Sequence, residues 1–124
     1  MACTPDNVRV WPETELTERA VEFATALGAG EYQRAHAFLS SGLRSTMSLA
    51  KLEADYKAMV SHGSGAPTTV SAVTAMTDWP DKQEGDLEWV YVAMANDTYS
   101  EAVTVVVAQE KEDLVIRSIE WGRP

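Results

Sequence analysis

The sequence predicts an α+β fold in which three N-terminal helices pack on an antiparallel sheet of about four strands. Three observations predict it. From Thr14 to Val60 the apolar residues recur at helical spacing. From Thr68 to Trp121 they fall into β-branched and aromatic runs of strand length. Between the two, His62-Gly63-Ser64-Gly65-Ala66-Pro67 is the strongest break in the chain. Composition does not shift across it, so it reads as a turn inside one domain. The expected organisation is an irregular lead-in at 1–12 and a single domain at 13–124.

Each element has its own signal. Thr14, followed by Glu15 and Glu18, starts a helix with acidic side chains at the positive end of the macrodipole. Leu16, Ala20, Phe23, Ala24 and Leu27 form its apolar stripe, and Gly28-Ala29-Gly30 ends it. A second helix begins near Glu31, turns Tyr32, Ala35, Phe38 and Leu39 inward, and is broken by Ser40-Ser41-Gly42. Ser48 is the N-cap expected for a third, with the stripe Leu49, Leu52, Tyr56, Met59 and Val60. Strands are expected at about 68–77, 87–95, 99–109 and 114–121. Pro80 keeps the first loop out of any central strand. Asn96-Asp97 and Glu110-Lys111-Glu112-Asp113 mark the later turns.

Composition excludes several classes of function. The 124 residues are 45% hydrophobic and 23% charged, with 19 acidic and 10 basic side chains and a net charge of −9. A chain of this length buries roughly two thirds of the surface it exposes unfolded. Its field repels phosphate backbones and anionic membranes, so neither nucleic acid nor membrane is an expected partner, and basic proteins are favoured. No window approaches a membrane span, no signal peptide is visible, and the cytoplasm is the expected location. Cys3 is the only cysteine and reads as a spectator. With His36 and His62 it gives no zinc spacing, and no metal or cofactor is expected. Asn96-Asp97-Thr98 matches a glycosylation acceptor, which carries no weight without a secretion signal.

The last hairpin sorts side chains by face. If Gln109 pairs with Leu114, one face carries Tyr99, Glu101, Val103, Val105 and Val107 with Leu114, Ile116, Ser118 and Glu120. The other carries Ala102, Thr104, Val106 and Ala108 with Val115, Arg117, Ile119 and Trp121. That second face is more apolar than water requires, and no helix is left to cover it. Thr104, Val106, Arg117, Ile119 and Trp121, with loop residue Trp79, are therefore the expected interface. Trp89, in phase with Leu87 and Tyr91, is expected in the core.

The helix with Phe23 and Leu27, the bend at Gly28 to Tyr32, the helix ending Phe38-Leu39-Ser40 and the strands from Leu87 to Trp121 together resemble the NTF2-like (cystatin-related cone) superfamily. The resemblance is one of architecture and spacing. It implies a curved sheet and a cone-shaped pocket between helices and sheet, here lined by Phe23, Leu27, Phe38, Leu52, Trp89, Tyr91, Tyr99, Val103 and Ile116. It also implies frequent dimerisation through the outer sheet surface. Such domains include isomerases, dehydratases and epoxide hydrolases, and non-catalytic transport, assembly and toxin-immunity proteins.

Enzymatic members use Asp, His or Tyr side chains in the pocket. Tyr32 and His36, four residues apart, share one side of a helix, and with Tyr56 could present a hydroxyl and an imidazole to a bound carbonyl. Glu101 and Glu120 on one sheet face could separate their pKa values for acid/base work. The same residues also read as core tyrosines with satisfied hydroxyls, an edge histidine and solvated strand-end carboxylates. The favoured expectation is a non-catalytic binding protein of the toxin-immunity type, meeting a basic protein partner or a second copy in a homodimer. The alternative is a pocket for a small hydrophobic carbonyl compound, with or without isomerase or dehydratase chemistry.

Overall fold

The computed structural model describes residues 12–61 and 63–122, and the expectations on Cys3 and His62 lie outside them. Among the described residues four helices precede four strands: α1 Glu13–Gly28, α2 Tyr32–Ala37, α3 Ser41–Thr46 and α4 Leu49–Met59, then β1 Thr69–Met76, β2 Asp86–Asn96, β3 Tyr99–Glu110 and β4 Asp113–Trp121. The strands form one open antiparallel sheet in chain order, β1-β2-β3-β4. Each strand lies within two residues of its expected limits.

The helix layer differs from expectation by one element. α2 ends at Ala37 with Phe38 at its C-cap, before Ser40-Ser41-Gly42, so Phe38 and Leu39 lie beyond the helix. Ser40 is instead an N-cap: its hydroxyl accepts the Leu43 N–H at 3.1 Å and starts α3. The third predicted helix is therefore the fourth, capped as expected by Ser48, which accepts the Lys51 N–H at 3.1 Å. α1 starts at Glu13, one residue earlier than Thr14, with Pro12 at the cap position and its carbonyl accepting the Glu15 N–H at 3.0 Å. At its other end, a Cβ on Gly28 would lie 2.6 Å from Cγ of Pro67, so glycine is what lets α1 close on the entrance to β1.

The core lies between the helices and one face of the sheet. Phe23 and Leu27 of α1, Leu39, and Leu52 of α4 meet Val90, Val92 and Met94 of β2, Val103, Val105 and Val107 of β3, and Ile116 of β4, all fully buried. At about 1.5–3 kcal/mol per apolar side chain removed from water, this layer dominates the folding energy. The far edge of β4 is closed by main chain: Ile116 donates to Phe38 O at 2.8 Å and accepts from Ser40 N at 2.9 Å.

Two registers decide the faces. The β3–β4 hairpin pairs Gln109 with Leu114 as expected, and Val107 with Ile116. A bulge then shifts the pairing, so Val106 faces Ser118, Val105 faces Ile119, Thr104 faces Glu120 and Val103 faces Trp121. Arg117 and Ser118 together oppose Val106, and every later side chain of β4 changes face. Ile119 and Trp121 thus pack on the core rather than on the outer face, while Ser118 and Glu120 leave the helix side. In β2 the buried phase is Glu88, Val90, Val92 and Met94, which puts Trp89 and Tyr91 on the outer face, not in the core or a pocket lining. Both phases of Leu87-Glu88-Trp89-Val90-Tyr91-Val92 are apolar apart from one glutamate. That glutamate is held inside: Glu88 is fully buried and its Oε1 accepts the Thr17 hydroxyl of α1 at 2.8 Å.

Candidate functional site

The residues expected to do chemistry are not brought together. His36 Nε2 lies 2.8 Å from Met47 O, a carbonyl that can only accept, so this nitrogen carries the proton and ties α2 to the link between α3 and α4. Tyr32 and Tyr56 do meet, with ring centroids 6.2 Å apart. Tyr56 lies beside Tyr99, whose hydroxyl donates to Gly65 O at 3.0 Å. Burial first, and then the neighbouring Tyr99 hydroxyl, push the Tyr56 phenol well above the ordinary tyrosine range. Burial also raises Tyr32, against the opposing pull of Lys57. Phenols held this way are poor acids. Glu101 remains on the helix side, in an open cleft of about 490 Å³ with Asp55, Ala58, Met59, Trp121 and Gly122. Glu120 is exposed on the opposite face, so the two carboxylates cannot act as a pair.

Of the expected pocket lining, Phe23, Leu27, Leu52, Tyr99, Val103 and Ile116 are buried in the core. Phe38 is half-buried beneath the guanidinium groups of Arg19 and Arg34, at 5.2 and 5.9 Å from its ring centre. Other clefts open at the surface. One of about 730 Å³ runs along Thr14, Thr17, Glu18, Val21 and Glu22 of α1. Another lies around Tyr32, Arg34, Leu49 and Glu53. Among the described residues, no group of three or more His, Cys, Asp or Glu could hold a metal ion, and no helix is long and apolar enough to cross a membrane.

The outer face of the sheet presents a more coherent surface. Two rows cross all four strands: Met76, Trp89, Val106 and Ser118, and beside them Thr74, Tyr91, Thr104 and Glu120. Thr104 and Val106 are buried at its centre with Ala102 and Ala108, Trp89 and Tyr91 are half-buried, and Met76, Thr74 and Glu120 are exposed. Two of the expected interface residues, Thr104 and Val106, are therefore on this face. Trp89, Tyr91 and Met76 belong to it and were missed. Arg117 lies on it too, but it is not free to meet a partner. It reaches across β3 to Asp86 of β2, with Nη2 at 2.7 Å from Oδ2, and Asp86 is closed to solvent. Asp86 Oδ2 also accepts the Gln83 N–H at 2.9 Å, fixing the loop before β2. Trp79 is half-buried in that loop, with Lys82 Nζ 5.6 Å from its ring centre and 2.6 Å from Thr77 O.

Charge around this face is one-sided. The loop that follows Met76 carries Asp78, Asp81 and Glu84 against Lys82, and Glu120 stands on the face itself. Its one arginine is neutralised by Asp86. The chain matches no protein-family model, no curated protein and no solved structure.

Proposed function

We propose that this chain is a cytoplasmic, non-catalytic binding protein of the toxin-immunity type that takes a basic protein partner on the outer face of its sheet. The observation that carries the reading is the pair of cross-strand rows. They set Trp89, Tyr91 and Met76 on a face away from α1 and α4, beside an acidic loop. Aromatic and methionine side chains on such a face are the anchors of protein interfaces, and the surrounding carboxylates steer a basic partner to them. A net charge of −9 extends that steering over the whole molecule. The inner side of the sheet supports the same reading, because its space is occupied by the protein's own Phe, Leu, Val and Ile side chains.

The test is affinity capture from the source cells, followed by native mass spectrometry. A basic protein bound at fixed stoichiometry, and lost in Trp89→Ala and Tyr91→Ala variants that still fold, is the expected result. Truncating a hot-spot aromatic costs about 2 kcal/mol or more of binding, a factor of roughly 30. Retention of the partner at full affinity by both variants, or capture of no basic protein, would sink the reading.

A further inference from the structure

β1 breaks the usual rule for the edge of a sheet. Edge strands normally carry Lys, inward charges or Pro to discourage pairing with another chain. Here β2, β3 and β4 all carry charged residues, and β1, Thr69–Met76, carries none. The opposite edge is closed by Phe38 to Ser40 across Ile116, whereas among the described residues nothing pairs with the far side of β1. From Val73 to Met76 the strand is exposed, Val73 by 61% and Met76 by 38%. Among the described residues the bulge at Val73 is its one blunting device, and it leaves ladder-forming residues on both sides.

We propose that β1 is a self-association edge, pairing antiparallel with β1 of a second copy to make one continuous eight-stranded sheet. Electrostatics select a second copy and its direction. Ala58 to Thr77 is the longest run of this chain without Asp, Glu, Lys or Arg, and the acidic loop begins immediately after it at Asp78. A two-fold axis between Ala72 and Val73 sets each acidic loop beside the uncharged segment before β1 of the other copy. Parallel pairing would instead bring the two acidic loops together. An uncharged strand is also the one element of a −9 chain that can meet its own copy without repulsion. The edge pairs through main chain, whereas the outer face binds through side chains, Met76 of β1 among them; Val73→Lys and Trp89→Ala therefore test the two proposals separately.

Sedimentation equilibrium across the micromolar to millimolar range, with hydrogen exchange at both ends, tests this. The expected result is a monomer–dimer equilibrium in which the β1 amides become protected as concentration rises. Val73→Lys, on a side chain that is mostly solvent-exposed, should weaken it by about tenfold or more with the thermal midpoint unchanged. Trp89→Ala should leave it unchanged. A wild-type chain that is monomeric throughout overturns the proposal, as does a dimer that survives Val73→Lys. So do β1 amides protected equally at every concentration.

Discussion

Arg117 shows how much one side chain can change meaning between sequence and structure. On an alternating strand it reads as an exposed cation on an apolar face, available to a partner. In the fold it spans β3 to a carboxylate with no solvent exposure, which makes it part of the scaffold. Removing one member of a buried pair leaves the other charge stranded, at a cost of about 3–5 kcal/mol. Arg117 keeps 28% of its side chain exposed, so Arg117→Ala is expected at or below the low end, about 2–3 kcal/mol. Urea denaturation measures this directly, and a loss under about 1 kcal/mol would mean that the pair is a surface ornament. No pattern in the sequence distinguishes the two roles, because Asp86 and Arg117 are 31 residues apart and meet only through strand order. Glu88 was illegible for the same reason: its partner, Thr17, is 71 residues away.

The elements themselves were legible, since each strand and the two longer helices carry their own period, and α4 carries its Ser48 cap. The faces were not, because one bulged residue at Arg117 reverses everything after it, and strand periodicity contains no signal for a bulge. α3 was hidden because Ser40-Ser41-Gly42 reads as a break, whereas the Ser40 hydroxyl caps the start of a new helix. At the other end of the layer, α4, the loop before β1 and the β2–β3 hairpin are tied together by polar contacts. Tyr56 lies beside Tyr99 and Tyr99 donates to Gly65 O, while Asn96 Nδ2 donates to Ser64 O at 2.8 Å and Ala66 O at 3.0 Å. A Cβ on Gly63 would lie 2.6 Å from the Tyr99 ring, so the loop sits flush against it. This junction predicts alkaline sensitivity. The Tyr56 pKa is raised in the folded state, so its contribution is complete below the unfolded value of 10.0 and is lost as pH rises toward the folded one. The urea midpoint should fall as pH rises above about 10, and Tyr56→Phe should flatten that fall. An equal slope in the variant would place the sensitivity elsewhere.

At the scale of the whole molecule, two associations draw on the same net charge with opposite signs. Bringing together two chains of charge −9 stores repulsion, so the β1 edge works against the global field and succeeds only where the local surface is neutral. Meeting a basic protein at Trp89 and Tyr91 works with that field. Screening lengths shrink from about 30 Å at 0.01 M salt to about 10 Å at 0.1 M, which is the range over which both effects should be felt. Raising salt across it should therefore tighten self-association and weaken partner binding. Because a dimer presents two outer faces, a partner with more than one basic site would be held more tightly than by either face alone, and Val73→Lys should remove that gain while preserving single-face affinity. Isothermal titration of wild type and Val73→Lys at both salt concentrations separates the terms. Salt responses of the same sign for the two associations would show that charge does not divide them, and the case for an uncharged edge set against an acidic face would fall with it.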